Sequence, residues 1–181
     1  MKKILLMALC LMFVTSFGFG ATSGVATWNV TVKPGLGIVV SPDSFDLGIL
    51  TMGEEVEVLQ PSVLLPVVTN DGASNCKYQL VLDKMTTGWT FAGINGGGTE
   101  EAGLGFILRD VGITTPVVFD SNRDKLENGP GRICDGIYFL GGGYDIAPAQ
   151  SQAMEFRFGA PGVTANTSPT SFSVTLTALA M

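Results

Sequence analysis

The feature that most constrains the fold of this chain is the lack of any long helical pattern. No window of about eleven residues carries apolar side chains at helical spacing without an interrupting Gly or Pro, and the chain holds 24 Gly and 9 Pro. Instead, short runs of β-branched and aromatic residues alternate with the turn residues Gly, Pro, Asn and Asp. This pattern predicts an all-β fold.

The runs predict about ten short strands with turns between them, which is typical of a β-sandwich. A closed barrel with a ligand cavity is the alternative. A doubly wound α/β fold is excluded because no helical segments separate the strands. The predicted strands are residues 25–32, 36–40, 45–50, 63–69, 77–83, 89–92, 104–111, 117–119, 137–140, 155–158 and 171–180.

The first twenty residues have the pattern of a secretory signal peptide. Lys2 and Lys3 precede an unbroken apolar stretch, and the small residues Gly18 and Gly20 occupy the −3 and −1 positions of a cleavage site. The apolar stretch is too short to span a bilayer, and no later segment reaches the roughly 18 apolar residues that a membrane helix needs. We therefore expect a secreted, bacterial-type protein with a single domain, residues 21–181, that does not span a membrane.

Two cysteines, Cys76 and Cys134, follow the leader. In an oxidising compartment such a pair is most simply a disulfide. On the chain-entropy model, a bridge that closes a loop of this length stabilises the fold by roughly 4 kcal/mol. The alternative is a pair of unbonded, buried thiols.

The charge of the chain is low and acidic. Removal of the leader takes two of the 10 basic residues and none of the 16 acidic ones, which leaves a net charge of −8. No basic cluster is present, so binding to nucleic acid is excluded. Charged residues make up only 14% of the chain, against roughly 25% in an ordinary soluble domain. So little charge gives weak repulsion between copies and suits a protein that packs into an assembly.

The chain contains no histidine. This removes the commonest general base, the Ser-His and Cys-His nucleophile pairs, and the commonest zinc ligand. Paired carboxylates are another route to hydrolysis of glycosides, but the sequence singles out no pair. Glu54, Glu55 and Glu57 lie beside a Gly in a predicted solvated connection between strands. We therefore expect a protein without enzymatic activity.

The segment Asp120 to Asp124 is the best candidate for a metal site. Oxygen-bearing side chains of Asp120, Asn122 and Asp124 alternate in a predicted loop, and such side chains can converge on calcium. However, Lys125 and Gly131 occupy the positions where a helix-loop-helix calcium loop has Gly and Glu. The alternative is a solvated turn capped by Asx side chains. Calcium is the only cofactor that the sequence suggests.

An exposed aromatic residue offers a flat apolar face on which a β-sandwich can bind a sugar ring, and the candidates are Trp28, Trp89, Phe91, Tyr138 and Tyr144. Trp28 and Trp89 lie in patterned strands and are predicted to belong to the core. Tyr144, in the segment GGGYD, is predicted to be exposed in a loop. Tyr144 is therefore the candidate ligand residue if the protein is an extracellular module that binds a glycan or a cell-surface partner.

The segments SPDSFDLGIL, VTNDGASNCKYQLVLDKMTTGWTFAG and MEFRFGAPGVTANTSPTSFSVTLTALA resemble a loose class of secreted bacterial immunoglobulin-like β-sandwich domains. The likeness consists of an F-x-L/F-G strand, a V-T-N turn, a Y-x-L-x-L strand, a G-W-T turn and a Thr-rich last strand. The spacing of Cys76, Trp89 and Cys134 also resembles the Cys-Trp-Cys frame of immunoglobulin domains. Arg132, however, stands where that frame has a tyrosine. The resemblance implies a structural role outside the cell and no catalytic residues.

Strand addition is the physical route by which such a domain would assemble. Residues 21–33 are the predicted donor strand because they lie at the N-terminus of the processed chain, alternate cleanly and precede Pro34-Gly35. The residues of this assembly strand are Val25, Ala26, Trp28, Val30 and Val32. Residues 171–181 are the other candidate, and pairing of both strands within their own domain is the alternative. The sequence thus predicts a subunit of an extracellular filament or surface layer that binds copies of itself.

Overall fold

The computed structural model describes residues 36–44, 46–85, 88–139, 142–165 and 171–181. These residues form an all-β structure without a helix, as the interrupted apolar pattern predicts. The leader and the predicted donor strand, residues 21–33, lie outside the described residues.

Nine strands are found among the described residues, and the sequence predicts seven of them, all except the second and the seventh. In chain order they are β1 (Ile38–Ser41), β2 (Glu55–Val58), β3 (Val67–Asn70), β4 (Cys76–Met85), β5 (Thr90–Phe91), β6 (Glu101–Asp110), β7 (Arg132–Ile133), β8 (Ser151–Gly159) and β9 (Phe172–Ala180).

Three predicted strands are wrong, and in two of them a buried phenylalanine, Phe119 or Phe139, belongs to a loop. Residues 46–50, 117–119 and 137–139 form no strand. Phe139 is buried with a φ of 54°, a left-handed backbone conformation that does not occur within a regular strand. Phe119 packs in a small separate cluster with Ile94 and Ile107.

The larger sheet has six strands and is built around β8. β6 runs antiparallel along one side of β8, and the two residues of β5 pair in parallel with the first two residues of β6. On the other side, β3 pairs with residues 151–153 of β8 and β2 with residues 156–159. β1 pairs with the far side of β3, so β1 and β5 are the two outermost strands.

The smaller sheet has three strands, with β4 in the centre, β7 on one side and β9 on the other. The antiparallel ladder between β4 and β9 extends from the pair Cys76–Ala180 to the pair Met85–Phe172. Its single irregularity lies between Leu82 and Lys84 of β4. β9 is therefore regular along its whole length, and among the described strands it is an edge strand of this sheet.

The two sheets share one hydrophobic core. Phe156 and Phe158 of β8 contribute to it from the larger sheet, and Phe172 of β9 contributes from the smaller one. The rings of Phe158 and Phe172 stack with their centres 5.6 Å apart. Complete burial of a side chain of this size stabilises a fold by roughly 1.5–3 kcal/mol, so β9 is held firmly through its inner face.

Loops cover the outer face of the larger sheet, and β6 is consequently buried on both sides. Glycines allow this close approach. A Cβ atom on Gly103 would lie 2.2 Å from the backbone nitrogen of Gly96, and one on Gly159 would lie 2.0 Å from the carbonyl oxygen of Asn95. Only glycine fits at such contacts between a strand and another stretch of backbone.

A buried ion pair also lies on this outer face. Arg109 donates to both carboxylate oxygens of Glu155, from Nε at 2.6 Å and from Nη2 at 2.5 Å, and the Glu155 side chain is fully buried. Arg109 Nη1 also donates to the carbonyl oxygen of Thr115 at 2.9 Å. The backbone N–H of Gln60 donates to Glu155 at 2.8 Å. The ion pair therefore ties two loops to the sheet.

Glu55 and Glu57 are exposed, as predicted, but they belong to the strand β2 and not to a connection between strands. Arg157 of β8 pairs with Glu57 at 3.1 Å and also with Glu55. The pairing follows from the sheet, because β2 and β8 are neighbouring antiparallel strands. Opposite charges on adjacent strands stabilise a sheet modestly.

Candidate functional site

β9 is the longest strand at an edge of either sheet, with nine residues. Its sequence, FSVTLTALA, contains no charged residue, no Pro and no Gly. Among the described strands only β4 pairs with it. The N–H and C=O groups along such an edge are a template on which another strand can pair. We call residues 173–180 the β9 edge and treat it as the candidate functional site.

The other edges of the two sheets are short or carry charge. β1 has four residues and ends directly before Pro42. β5 and β7 have two residues each. β2 has four residues, of which Glu55 and Glu57 are charged. Short length, charge and Pro are the usual means by which proteins prevent pairing at a sheet edge. The β9 edge uses none of them.

The two faces of β9 differ in chemistry. Val174 and Leu176 face the core and are each only 1% exposed. Thr175 and Thr177 alternate with them, and the Thr175 hydroxyl donates to the carboxylate of Asp83 on β4. A strand added beside β9 would therefore extend an apolar face on one side and a hydroxyl-rich face on the other. Such a strand needs alternating apolar and polar residues.

The donor strand that the sequence predicts has this alternation, but its residues lie outside the described part of the chain. They are Val25, Ala26, Trp28, Val30 and Val32. The structure thus describes the C-terminal one of the two predicted assembly strands, and it describes that strand at a sheet edge.

Cys76 and Cys134 are free thiols in the structure, in place of the predicted disulfide. The backbone N–H of Cys134 donates to the carbonyl oxygen of Tyr78 at 2.8 Å, so Tyr78 is its neighbour across the strands. Cys76 pairs instead with Ile146. The two cysteines are therefore diagonal to each other across the smaller sheet and not directly opposed.

Burial makes the thiols of Cys76 and Cys134 unreactive. Both thiols are fully buried, and desolvation raises their pKa above the ordinary value of 9.0. A protonated, buried thiol is a poor nucleophile. Burial is also the largest cause that raises the pKa of Tyr78, whose hydroxyl is buried with both cysteine thiols nearby. The cluster of Cys76, Tyr78 and Cys134 fills the core and offers no activated nucleophile.

The predicted calcium segment is a turn held by hydrogen bonds within the segment. The N–H of Asp124 donates to the carbonyl oxygen of Asp120 at 2.9 Å, and the N–H of Asp120 donates to the carboxylate of Asp124 at 2.7 Å. The N–H of Asn122 donates to the Asp120 carboxylate at 2.8 Å. Asp124 is fully buried, and its carbonyl oxygen accepts the N–H of Phe106 on β6.

This geometry is that of a turn capped by Asx side chains, which was the alternative to a calcium site. The described residues contain no cluster of three or more Cys, Asp or Glu side chains that could hold a metal ion. Calcium at Asp120, Asn122 and Asp124 stays a prediction.

A surface recess of about 340 Å³ lies beside β7, and we call it the Arg132 recess. It is lined by Gly131, Arg132, Ile133, Asp135 and Tyr138. A smaller depression of about 150 Å³ adjoins it and shares Gly131 and Arg132. The guanidinium carbon of Arg132 lies 4.7 Å from the centre of the Tyr138 ring, which is a cation–π contact.

Charged groups of both signs surround the Arg132 recess. Glu127 pairs with Lys125 at 2.7 Å and with Arg132 at 3.4 Å, and the hydrogen bond from Lys125 is the main cause that lowers the pKa of Glu127. Asp135 accepts two backbone N–H groups, that of Tyr138 at 3.1 Å among them. These bonds hold the pKa of Asp135 below its ordinary 3.8. Lys77 also contributes to the lowered pKa of Asp135, so three cations, Lys77, Lys125 and Arg132, lie near these two carboxylates.

Tyr144, the ligand residue that the sequence predicts, is 47% exposed and does not line the Arg132 recess. Nothing in the sequence singles out Arg132 and Tyr138 as a pair. Their only signal is an arginine and a tyrosine six positions apart in a polar loop, and that signal is too common to single out a site. The left-handed backbone at Phe139, which follows Tyr138 directly, has no signal in the sequence.

Within the described ranges, the chain forms no helix with the length and apolar character that crossing a membrane requires. Comparison of the chain with protein-family models, with curated proteins and with solved structures found no match. Function is therefore inferred from the β9 edge and from the Arg132 recess.

Proposed function

We propose that this protein is an exported, non-catalytic structural subunit that assembles with copies of itself by strand addition at the β9 edge. The observation that carries this proposal is a regular edge strand of nine residues without charge, Pro or Gly. An added strand would form main-chain hydrogen bonds along residues 173–180 and would extend both faces of the smaller sheet. The low proportion of charged residues, 14%, supports close packing of copies.

The donor is the segment of residues 21–33 from a neighbouring copy. In this segment Ala26, Trp28 and Val30 alternate with polar residues, and that alternation matches the two faces of β9. Residues 1–20 act as a signal peptide, and their removal on export makes the donor strand the N-terminus of the exported chain. Export before assembly also keeps the pairing outside the cell.

An immunoglobulin-like β-sandwich is the architecture that we infer for the exported domain, because two sheets share one core. Its place is the extracellular space or the cell surface of a bacterium. The lack of histidine in the sequence supports a role without catalysis. A polymer held by strand pairing requires no cofactor.

The decisive experiment places a charge on the β9 edge of the exported protein. Thr177→Lys puts a lysine on the edge strand, and charged residues, lysine above all, are a usual means by which proteins prevent pairing at a sheet edge. Gln79→Lys is the matched control, because Gln79 is the cross-strand partner of Thr177 but lies on the central strand β4. Size-exclusion chromatography with light scattering, together with negative-stain microscopy over a range of concentrations, measures the assembly.

We expect filaments or sheets from the wild type and from Gln79→Lys, and monomers from Thr177→Lys. Deletion of residues 21–33 should also give monomers, and a synthetic peptide of that segment should bind them. A wild-type protein that stays monomeric at millimolar concentration overturns the proposal. Assembly of Thr177→Lys to the same extent as the wild type overturns it as well.

A further inference from the structure

The Arg132 recess combines the groups of a small-ligand site. The ring of Tyr138 and the side chain of Ile133 are each 36% exposed and form apolar walls. Asp135 adds a carboxylate, and Arg132 adds a guanidinium group. Ligand sites in proteins have this composition of apolar surface with a few polar groups, and their volumes run from roughly 300 to 1,000 Å³. The volume of about 340 Å³ suits one small ring or the end of a chain.

The aromatic wall of the recess is held in place before any ligand binds. The Arg132 guanidinium lies over the Tyr138 ring and donates to the Glu127 carboxylate and to the carbonyl oxygen of Asn122, both at 3.4 Å. Asp135 is fixed in turn, because it accepts the backbone N–H of Tyr138. Groups that are already ordered lose little conformational entropy when a ligand binds.

The charge balance of the recess selects the chemistry of the ligand. The lining of the recess holds one cation, Arg132, and one carboxylate, Asp135. Arg132 is already paired with Glu127, and the chain as a whole carries a net charge of −6. An anionic ligand would therefore meet the Asp135 carboxylate and a cation that already has a partner. A neutral ligand with many hydroxyl groups fits better, because its C–H face can pack on the uncovered part of Tyr138 while its hydroxyls donate to Asp135.

We infer that the Arg132 recess binds a neutral saccharide, with Tyr138 as the stacking surface and Asp135 as the acceptor of a sugar hydroxyl. This site is separate from the proposed assembly, since β7 and β9 lie on opposite sides of β4. A subunit could therefore hold a saccharide while its β9 edge pairs with another copy. Binding at the recess does not depend on the assembly proposal.

The test uses an array of neutral and uronic-acid glycans, followed by isothermal titration calorimetry with maltotetraose, cellotetraose, chitotetraose and tetragalacturonic acid. We expect at least one neutral tetrasaccharide to bind, and the acidic one to bind more weakly. Tyr138→Ala and Asp135→Asn should each weaken binding by about tenfold or more. Tyr144→Ala is the matched control, because Tyr144 is exposed but lies outside the recess, and it should leave the affinity unchanged.

Thermal unfolding confirms that each variant folds before its affinity is compared. Asp135→Asn retains an oxygen for the turn hydrogen bonds, so it decides the question if Tyr138→Ala does not fold. The inference is overturned if no neutral glycan binds, or if the acidic tetrasaccharide binds best. It is equally overturned if Tyr144→Ala abolishes binding while Tyr138→Ala and Asp135→Asn do not.

Discussion

The two sheets of this protein differ in where they place charge. On the outer face of the larger sheet, Arg109 is paired with Glu155, and Arg157 is paired with two glutamates of β2. The long edge strand of the smaller sheet, β9, carries no charge at all. Charge is thus present where strands and loops of the same chain close over the larger sheet, and it is missing where a further strand would pair.

Because of this difference, we expect the outer face of the larger sheet to determine stability and the β9 edge to determine assembly. Substitutions on the outer face of the larger sheet should lower the free energy of unfolding and leave association of the folded protein unchanged. Substitution of Thr177, which does not belong to the buried core, should do the opposite, because among the described strands only β4 pairs with β9.

The largest expected loss of stability comes from breaking the buried ion pair. Arg109→Met leaves the Glu155 carboxylate buried without its counter-ion, and the Glu155 side chain is fully buried. We expect the free energy of unfolding to fall by about 3–5 kcal/mol, as measured by urea denaturation.

The double variant Arg109→Met/Glu155→Met is the control for that measurement, because it removes both charges at similar volume. It should lose less stability than the single variant. A double variant that is less stable than Arg109→Met would show that the ion pair is not the source of the effect.

A smaller loss is expected where the loop of residues 95–97 lies on the larger sheet. In Gly103→Ala the new Cβ would lie 2.2 Å from the backbone nitrogen of Gly96, so strand and loop must separate. Overpacking of this kind costs about 1–3 kcal/mol. Gly88→Ala is the matched control, because a Cβ there meets nothing within 4 Å, and its effect should stay within about 0.5 kcal/mol. Equal Tm values for the two variants would contradict the close packing.

Acid should weaken the loops beside the smaller sheet. Hydrogen bonds lower the pKa of Glu127 below its ordinary 4.5 and that of Asp135 below its ordinary 3.8 in the folded protein. The unfolded chain therefore binds more protons as the pH falls, so the stability from these groups is present above their ordinary pKa values and is lost below them. We expect Tm to decrease from about pH 5 downward, and the decrease should be less steep in the double variant Glu127→Gln/Asp135→Asn. An unchanged slope in that variant would rule out these two carboxyls as the cause.

The strands themselves could largely be predicted, because the alternation that forms them is local. The run KYQLVLD has Tyr78, Leu80 and Leu82 at every second position, and these residues of β4 are buried in the hydrophobic core. Turn residues mark the ends of such runs. The failures have the opposite cause: Phe139 is apolar, but a left-handed backbone places it in a buried loop.

What depends on distant residues could not be predicted. Glu55 and Glu57 resemble a solvated connection because their partner, Arg157, is about one hundred positions away in the sequence. In the same way, the composition of β9 is visible in the sequence, but its place at an edge follows from the order of the strands. The sequence also does not show that the strand neighbour of Cys134 is Tyr78 and not Cys76, which is why it predicts a disulfide.

The smallest change in stability is expected for Thr177→Lys, and this variant tests most directly whether the β9 edge contributes to assembly and not to stability. Thr177→Lys should change the free energy of unfolding by no more than about 0.5 kcal/mol, because an added lysine on an edge strand can extend into solvent. Urea denaturation at a concentration where the wild type is monomeric measures this. If Thr177→Lys loses as much stability as Arg109→Met, the β9 edge is already paired within its own domain, and charge would be missing there because the strand is internal. If Thr177→Lys keeps the stability of the wild type and loses only assembly, the uncharged edge serves the contact between copies.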